Sequence, residues 1–75
     1  MHWTHNTIKG AFSIVPNEGG FEVWFADERL SGRGGYKSPQ IAAEELAGGA
    51  TSWPTVGNPA DLGISDDLAD WEKHP

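Results

Sequence analysis

Hydrophobic and polar residues alternate most clearly between Gly10 and Phe25. In GAFSIVP, Phe12 and Ile14 alternate with Ala11, Ser13 and Val15, the two-residue period of a strand with one buried face. Pro16 suits the end of that strand. NEGG supplies a turn with glycine available for positive φ. FEVWFA then predicts a second strand, with Phe21, Val23 and Phe25 on one face and Glu22, Trp24 and Ala26 on the other. Large apolar groups on both faces suit a central strand of three. DER reads as a tight turn. LSGRGGYK predicts a third strand, with Leu30 and Tyr36 on one face and Ser31, Arg33 and Lys37 on the other. Its Gly32, Gly34 and Gly35 signal a bulge, a bend or a close backbone approach.

From residue 38 the period lengthens. Ser38 is a good helix cap and Pro39 suits the first helical position. Ala42, Ala43 and Leu46 share one side, flanked by Ile41, with Gln40 and Glu44 away from it. Gly48 or Gly49 closes the helix in the left-handed conformation. A helix of about nine residues does not persist alone, so packing must hold it. Residues 50–64 carry Pro54, Gly57, Pro59 and Gly63 as punctuation, with Trp53 as anchor and one turn of helix capped by Asn58. SDDLADWEKHP repeats the helix-start grammar: Ser65 as cap, Asp66 and Asp67 in the first turn. Ile64, Leu68 and Trp71 form an apolar stripe that should dock on the domain, over the sheet face carrying Trp24. MHWTHNT shows no period and is expected to fray over residues 1–8.

The expected architecture is a single α+β domain over residues 1–75. A three-stranded antiparallel meander and one helix fill residues 10–48. An irregular acidic segment, residues 50–75, wraps the other side and ends in a short helix.

Composition narrows the function. The chain has 75 residues and no cysteine, so disulfides, thiolate metal sites and a cysteine nucleophile are excluded. A reducing cytoplasm is the expected compartment. No apolar run reaches the roughly 20 residues of a membrane span, and MHWTHNTIKG lacks an apolar signal core. The net charge is −6 and unevenly spread. Residues 1–37 hold four acids and four bases; residues 38–75 hold seven acids and one base. A polyanion would be repelled by the second half.

Chemistry is sparse. SGRGG lacks the spacing of a phosphate-binding loop. The acid pairs Asp27/Glu28, Glu44/Glu45 and Asp66/Asp67 read as a solvated face rather than a general acid–base site. Asp61, Asp66, Asp67 and Asp70 do not follow a calcium-loop spacing. His2 and His5, which with His74 would suggest a metal site, read instead as two solvated histidines in a loose tail. No enzyme, cofactor or metal is expected. Four tryptophans in so short a chain point to a compact second core or to a partner-binding patch. Trp24, Trp53, Trp71 and Tyr36 are the candidate contacts.

The order FEVWF…GGYKSPQIAAEELA, within residues 10–48, resembles the three-strand-plus-helix DNA-binding modules of phage-type integrases. That resemblance implies a strand ribbon in a major groove, with Arg29, Arg33 and Lys37 as the contacts. Those modules carry more basic residues than these three. The chain also resembles short uncharacterised bacterial and phage proteins, which implies no function. The expected function is therefore a small non-enzymatic protein-binding module of bacterial or phage origin, a monomer or weak homodimer. Its acidic tail would steer a basic partner, in one version by mimicking DNA. The alternative is a weak nucleic-acid reader using Arg29, Arg33 and Lys37.

Overall fold

A computed structural model describes residues 1–30, 35–49 and 56–75. The fold is α+β: among the described residues, a five-stranded antiparallel sheet with one α-helix on one face. The strands are β1 (His2–Thr7), β2 (Gly10–Asn17), β3 (Gly20–Phe25), β4 (Glu28–Arg29) and β5 (Glu72–His74). Their order across the sheet is β4-β3-β2-β1-β5, so β2 is central, not the FEVWFA strand.

Two-residue turns set the register of the first four strands. Thr7 pairs with Gly10 around Ile8–Lys9. The Thr7 hydroxyl accepts from the Lys9 and Gly10 amides, at 3.2 Å each, and donates to the Gly10 carbonyl at 2.7 Å. One side chain thus closes the first hairpin. Glu18 and Gly19 both have positive φ, 35° and 84°, as a type I′ turn requires. Its twist matches that of the flanking strands. Ala26–Asp27 makes the third turn, with Ala26 at φ 52°.

The helix α1 (Pro39–Gly48) starts and stops where its sequence directs. The Ser38 hydroxyl accepts from the Ile41 amide at 3.1 Å, and Gly49 closes the helix at φ 69°, ψ 31°. A β-carbon on Gly49 would collide with Asn58 and Ala60. Residue 49 therefore needs glycine for close approach as well as for its backbone angle. Asn58 caps a 3-10 turn, Pro59–Leu62, through the Ala60 amide, as expected.

Several expectations are corrected. The N-terminal residues do not fray: they form β1, because β2 and β5 supply partners on both sides and Trp3 is buried to 9% exposure. The sheet has five strands, not three. The expected third strand is reduced to β4, while Tyr36 makes an isolated bridge to Phe21. Residues 31–34 between them lie outside the described residues. The final helix is absent: Leu68–Asp70 is a single 3-10 turn capped by Asp67 rather than Ser65, and β5 follows it.

The C-terminal segment also lies on the other side from that expected. Ile64 and Trp71 join Trp3, Phe12, Ile14, Val23, Leu30, Ala42, Ala43, Leu46 and Val56 in one core. The alanines let α1 approach the sheet closely, and residues 56–71 fill the space beside it. Both layers of cover therefore sit on the face carrying Phe12, Ile14 and Val23.

Candidate functional site

The covered and open faces follow from strand alternation. Trp3, Phe12, Ile14, Val23 and Trp71 point into the core. The opposite face carries a row of directly opposed residues: Glu72, Thr4, Ser13, Trp24 and Arg29, one from each strand. Beside that row lie the pairs His74–His2 and Glu22–Val15. Trp24 is half-buried between Ser13 and Arg29, and it is the large aromatic of this face among the described residues.

Charge is organised around Trp24. Glu22, two residues away on the same face, takes a hydrogen bond from Asn17 Nδ2 at 3.2 Å and faces the Arg29 guanidinium at 3.5 Å. The Trp24 indole N–H, more than burial, Asn17 or Arg29, governs the Glu22 carboxyl, and the net effect holds it below the ordinary carboxylate range. Trp24 Nε1 is shielded and has no acceptor in hydrogen-bonding geometry. Its influence on Glu22 is accordingly that of a nearby dipole rather than a formed bond.

At the far edge, the His2 and His74 rings stack with centroids 4.5 Å apart. His74 Nε2 is 2.9 Å from the Thr4 hydroxyl and 3.9 Å from a Glu72 carboxylate oxygen. His2 and His74 thus fasten β1 to β5, so His2 is not the solvated side chain of a loose tail. His5, on the covered face, is also engaged: its Nε2 accepts from the Ser65 amide at 3.2 Å. Among the described residues no three potential metal ligands converge.

The remaining candidates are scattered. Trp71 is 5% exposed and its Nε1 donates to the Ser65 carbonyl at 3.0 Å, so most of its ring belongs to the core and only a small part faces outward. Tyr36 is half-buried against the core beside Phe21, and burial, then the Glu45 charge, pushes its hydroxyl up. Trp53 and Arg33 lie outside the described residues. Arg29 is on the open face, held near Glu22, while Lys37 is exposed just before the helix. The exposed acids Glu44, Glu45, Asp61, Asp66, Asp67 and Asp70 all lie on the helix layer, away from the Trp24 face.

The sequence signal for the Trp24 face was the alternation in FEVWF. The contributions of Thr4, His2 and His74 had no local signal, because they depend on strands defined by their partners. No helix among the described residues is long and apolar enough to cross a membrane. No protein-family model matches the chain, and no curated protein or solved structure matches it.

Proposed function

We propose that this chain is a small non-enzymatic protein-binding module whose contact surface is the open face of the sheet, centred on Trp24. One observation carries the reading: α1 and residues 56–71 cover the same side of the sheet, leaving Trp24 partly exposed on the other, opposite Ser13 and Arg29. An antiparallel sheet with one solvated face is ordinary. A tryptophan on such a face, flanked by Ser13 and an Arg29–Glu22 pair, has the make-up of an interface anchor with a polar rim. The acidic helix layer points away from this surface. It would speed the approach of a basic partner through its field rather than touch it.

The test is an affinity comparison. Partners retained by the immobilised protein are identified, and their affinities are then measured against wild type, Trp24→Ala and Ile41→Ala. Ile41 is exposed on the helix layer and serves as control. The reading expects Trp24→Ala to weaken binding by about 30-fold or more, as loss of a hot spot does, and Ile41→Ala to leave it unchanged. A partner indifferent to Trp24→Ala but lost on Asp66→Asn with Asp67→Asn would replace the open face with the acidic layer.

The alternative is a weak nucleic-acid reader through Arg29, Arg33 and Lys37. Arg29 supports it by lying opposite Trp24; its carboxylate neighbour Glu22 opposes it. Duplex binding that fades with salt, with amide shifts around Arg29 and Lys37, would favour that alternative.

A further inference from the structure

We propose that the outer edge of β5 accepts an extended segment of a partner protein as a sixth strand, with a partner carboxylate opposite Lys73. This rests on the reading of the chain as a protein-binding module and names a mode of contact for it. β5 ends the sheet, and among the described residues no strand pairs with its outer side. An unpaired edge presents main-chain amides and carbonyls to an incoming strand.

The side chains define what that strand would carry. The register sets Lys73 opposite Trp3, on the covered side of the sheet, whereas Glu72 and His74 point to the open side. Lys73 forms one wall of a shallow groove along the edge, together with Trp3, Leu68, Ala69 and Trp71. The groove is held in shape from behind: the Trp71 indole donates to the Ser65 carbonyl, and the Leu68 amide donates to Gln40 Oε1 at 2.9 Å. Lys73 makes no ion pair among the described residues. The groove thus offers an apolar floor and one unpaired cation. A strand laid on β5 with an acid facing Lys73 would place its residue two positions along over Trp71 and Leu68, where an apolar side chain fits.

Lys73 also argues against a second copy as the occupant. Antiparallel pairing of β5 with itself about its central residue would set Lys73 against Lys73, and directly opposed like charges destabilise a strand pair. Lysine on a short edge deters self-association while leaving the edge open to an acidic strand.

The test uses the isotope-labelled full chain and a capped seven-residue peptide. The peptide has a central glutamate, valines two positions to either side, and threonines elsewhere. The expected result is a set of shifts at the Glu72, Lys73 and His74 amides and the Trp71 indole. A glutamine-centred peptide should bind about 3-fold more weakly, the scale of one exposed ion pair. Lys73→Glu, confirmed folded by its spectrum, should reverse the order and prefer a lysine-centred peptide. Silence at β5 with millimolar peptide at low salt would overturn the proposal. So would equal binding of the glutamate and glutamine peptides, or a concentration-dependent dimer through β5. Shifts confined to Thr4, Ser13 and Trp24 would overturn the edge mode while leaving the open-face reading standing. Loss of the Trp24 dependence in the affinity comparison would do the opposite.

Discussion

His5 and Trp71 meet edge to face across the covered side of the sheet, with ring centroids 5.1 Å apart and planes inclined at 67°. The same imidazole accepts the Ser65 amide through Nε2, and its Nδ1 lies 2.9 Å from the Asn6 carbonyl. Acceptance at Nε2 requires the proton on Nδ1, where it can be donated to Asn6. One side chain therefore joins β1 to both ends of residues 65–71. Long-range proton–nitrogen spectra should show the Nδ1–H tautomer; the Nε2–H tautomer would refute this hydrogen-bond assignment. His5→Phe keeps a ring but strands the Ser65 amide, and should cost about 1 kcal/mol in urea denaturation. His5→Ala loses the ring contact as well and should cost about 2 kcal/mol.

Gln40 performs a similar task from the helix. Its amide donates to Glu44 Oε2 and to the Asp66 carbonyl, both at 2.9 Å, and its carbonyl accepts from the Leu68 amide. Sequence pattern placed it on the outer side of an isolated helix, which is where a C-terminal segment packed on the same layer can reach it. Gln40→Ala should cost about 1–2 kcal/mol and hasten hydrogen exchange at Leu68. Gln40→Glu should do no better, since it loses both donors and adds a charge beside Glu44. Unchanged exchange at Leu68 in both variants would show that this tie is not formed in solution.

Ala26 offers a stabilising change. Its φ of 52° is unfavourable for alanine, and it is exposed, so no packing is lost on substitution. Asparagine tolerates that conformation without the extra unfolded-state freedom of glycine. Ala26→Asn should raise stability by about 0.5 kcal/mol, and the thermal midpoint by about 2–4 °C for a domain this small. Ala26→Val should lower both, because a β-branched residue fits this region poorly. A midpoint that rises with valine would mean that the turn adopts another form.

Two groups give stability a pH dependence of opposite sign. The Glu22 carboxyl is held below its ordinary value of 4.5 in the folded chain. Its contribution is complete above that value and is lost as pH falls through the lower, folded value. The Tyr36 hydroxyl is raised above its ordinary value of 10.0. Its contribution is complete below that value and is lost as pH rises through the higher, folded value. Denaturation measured across pH should show Glu22→Gln flattening the acid limb and Tyr36→Phe the alkaline limb. If both variants follow the wild-type profile, neither group carries the dependence.

The sequence by itself determined the elements whose causes are local. The alternation of Phe12, Ile14, Phe21, Val23 and Phe25 defined two strands and their buried face, because side chains in a strand alternate sides whatever the surroundings. Ser38, Pro39 and Gly49 set the ends of the helix, and Asn58 that of the first 3-10 turn, because caps act within a few residues. The position of Trp24 on the face opposite Phe21, Val23 and Phe25 was legible for the same reason. Tertiary structure alone decided β1 and β5. HWTHNT and EKH have no apolar period: the first is a strand because β2 and β5 pair with it on either side and Trp3 is buried there, the second because β1 pairs with it directly after the buried Trp71. It also decided which face the C-terminal segment covers. The stripe of Ile64, Leu68 and Trp71 showed that this segment docks. The ties to His5 and Gln40, distant in sequence, bring it to the helix side and leave Trp24 on the open face.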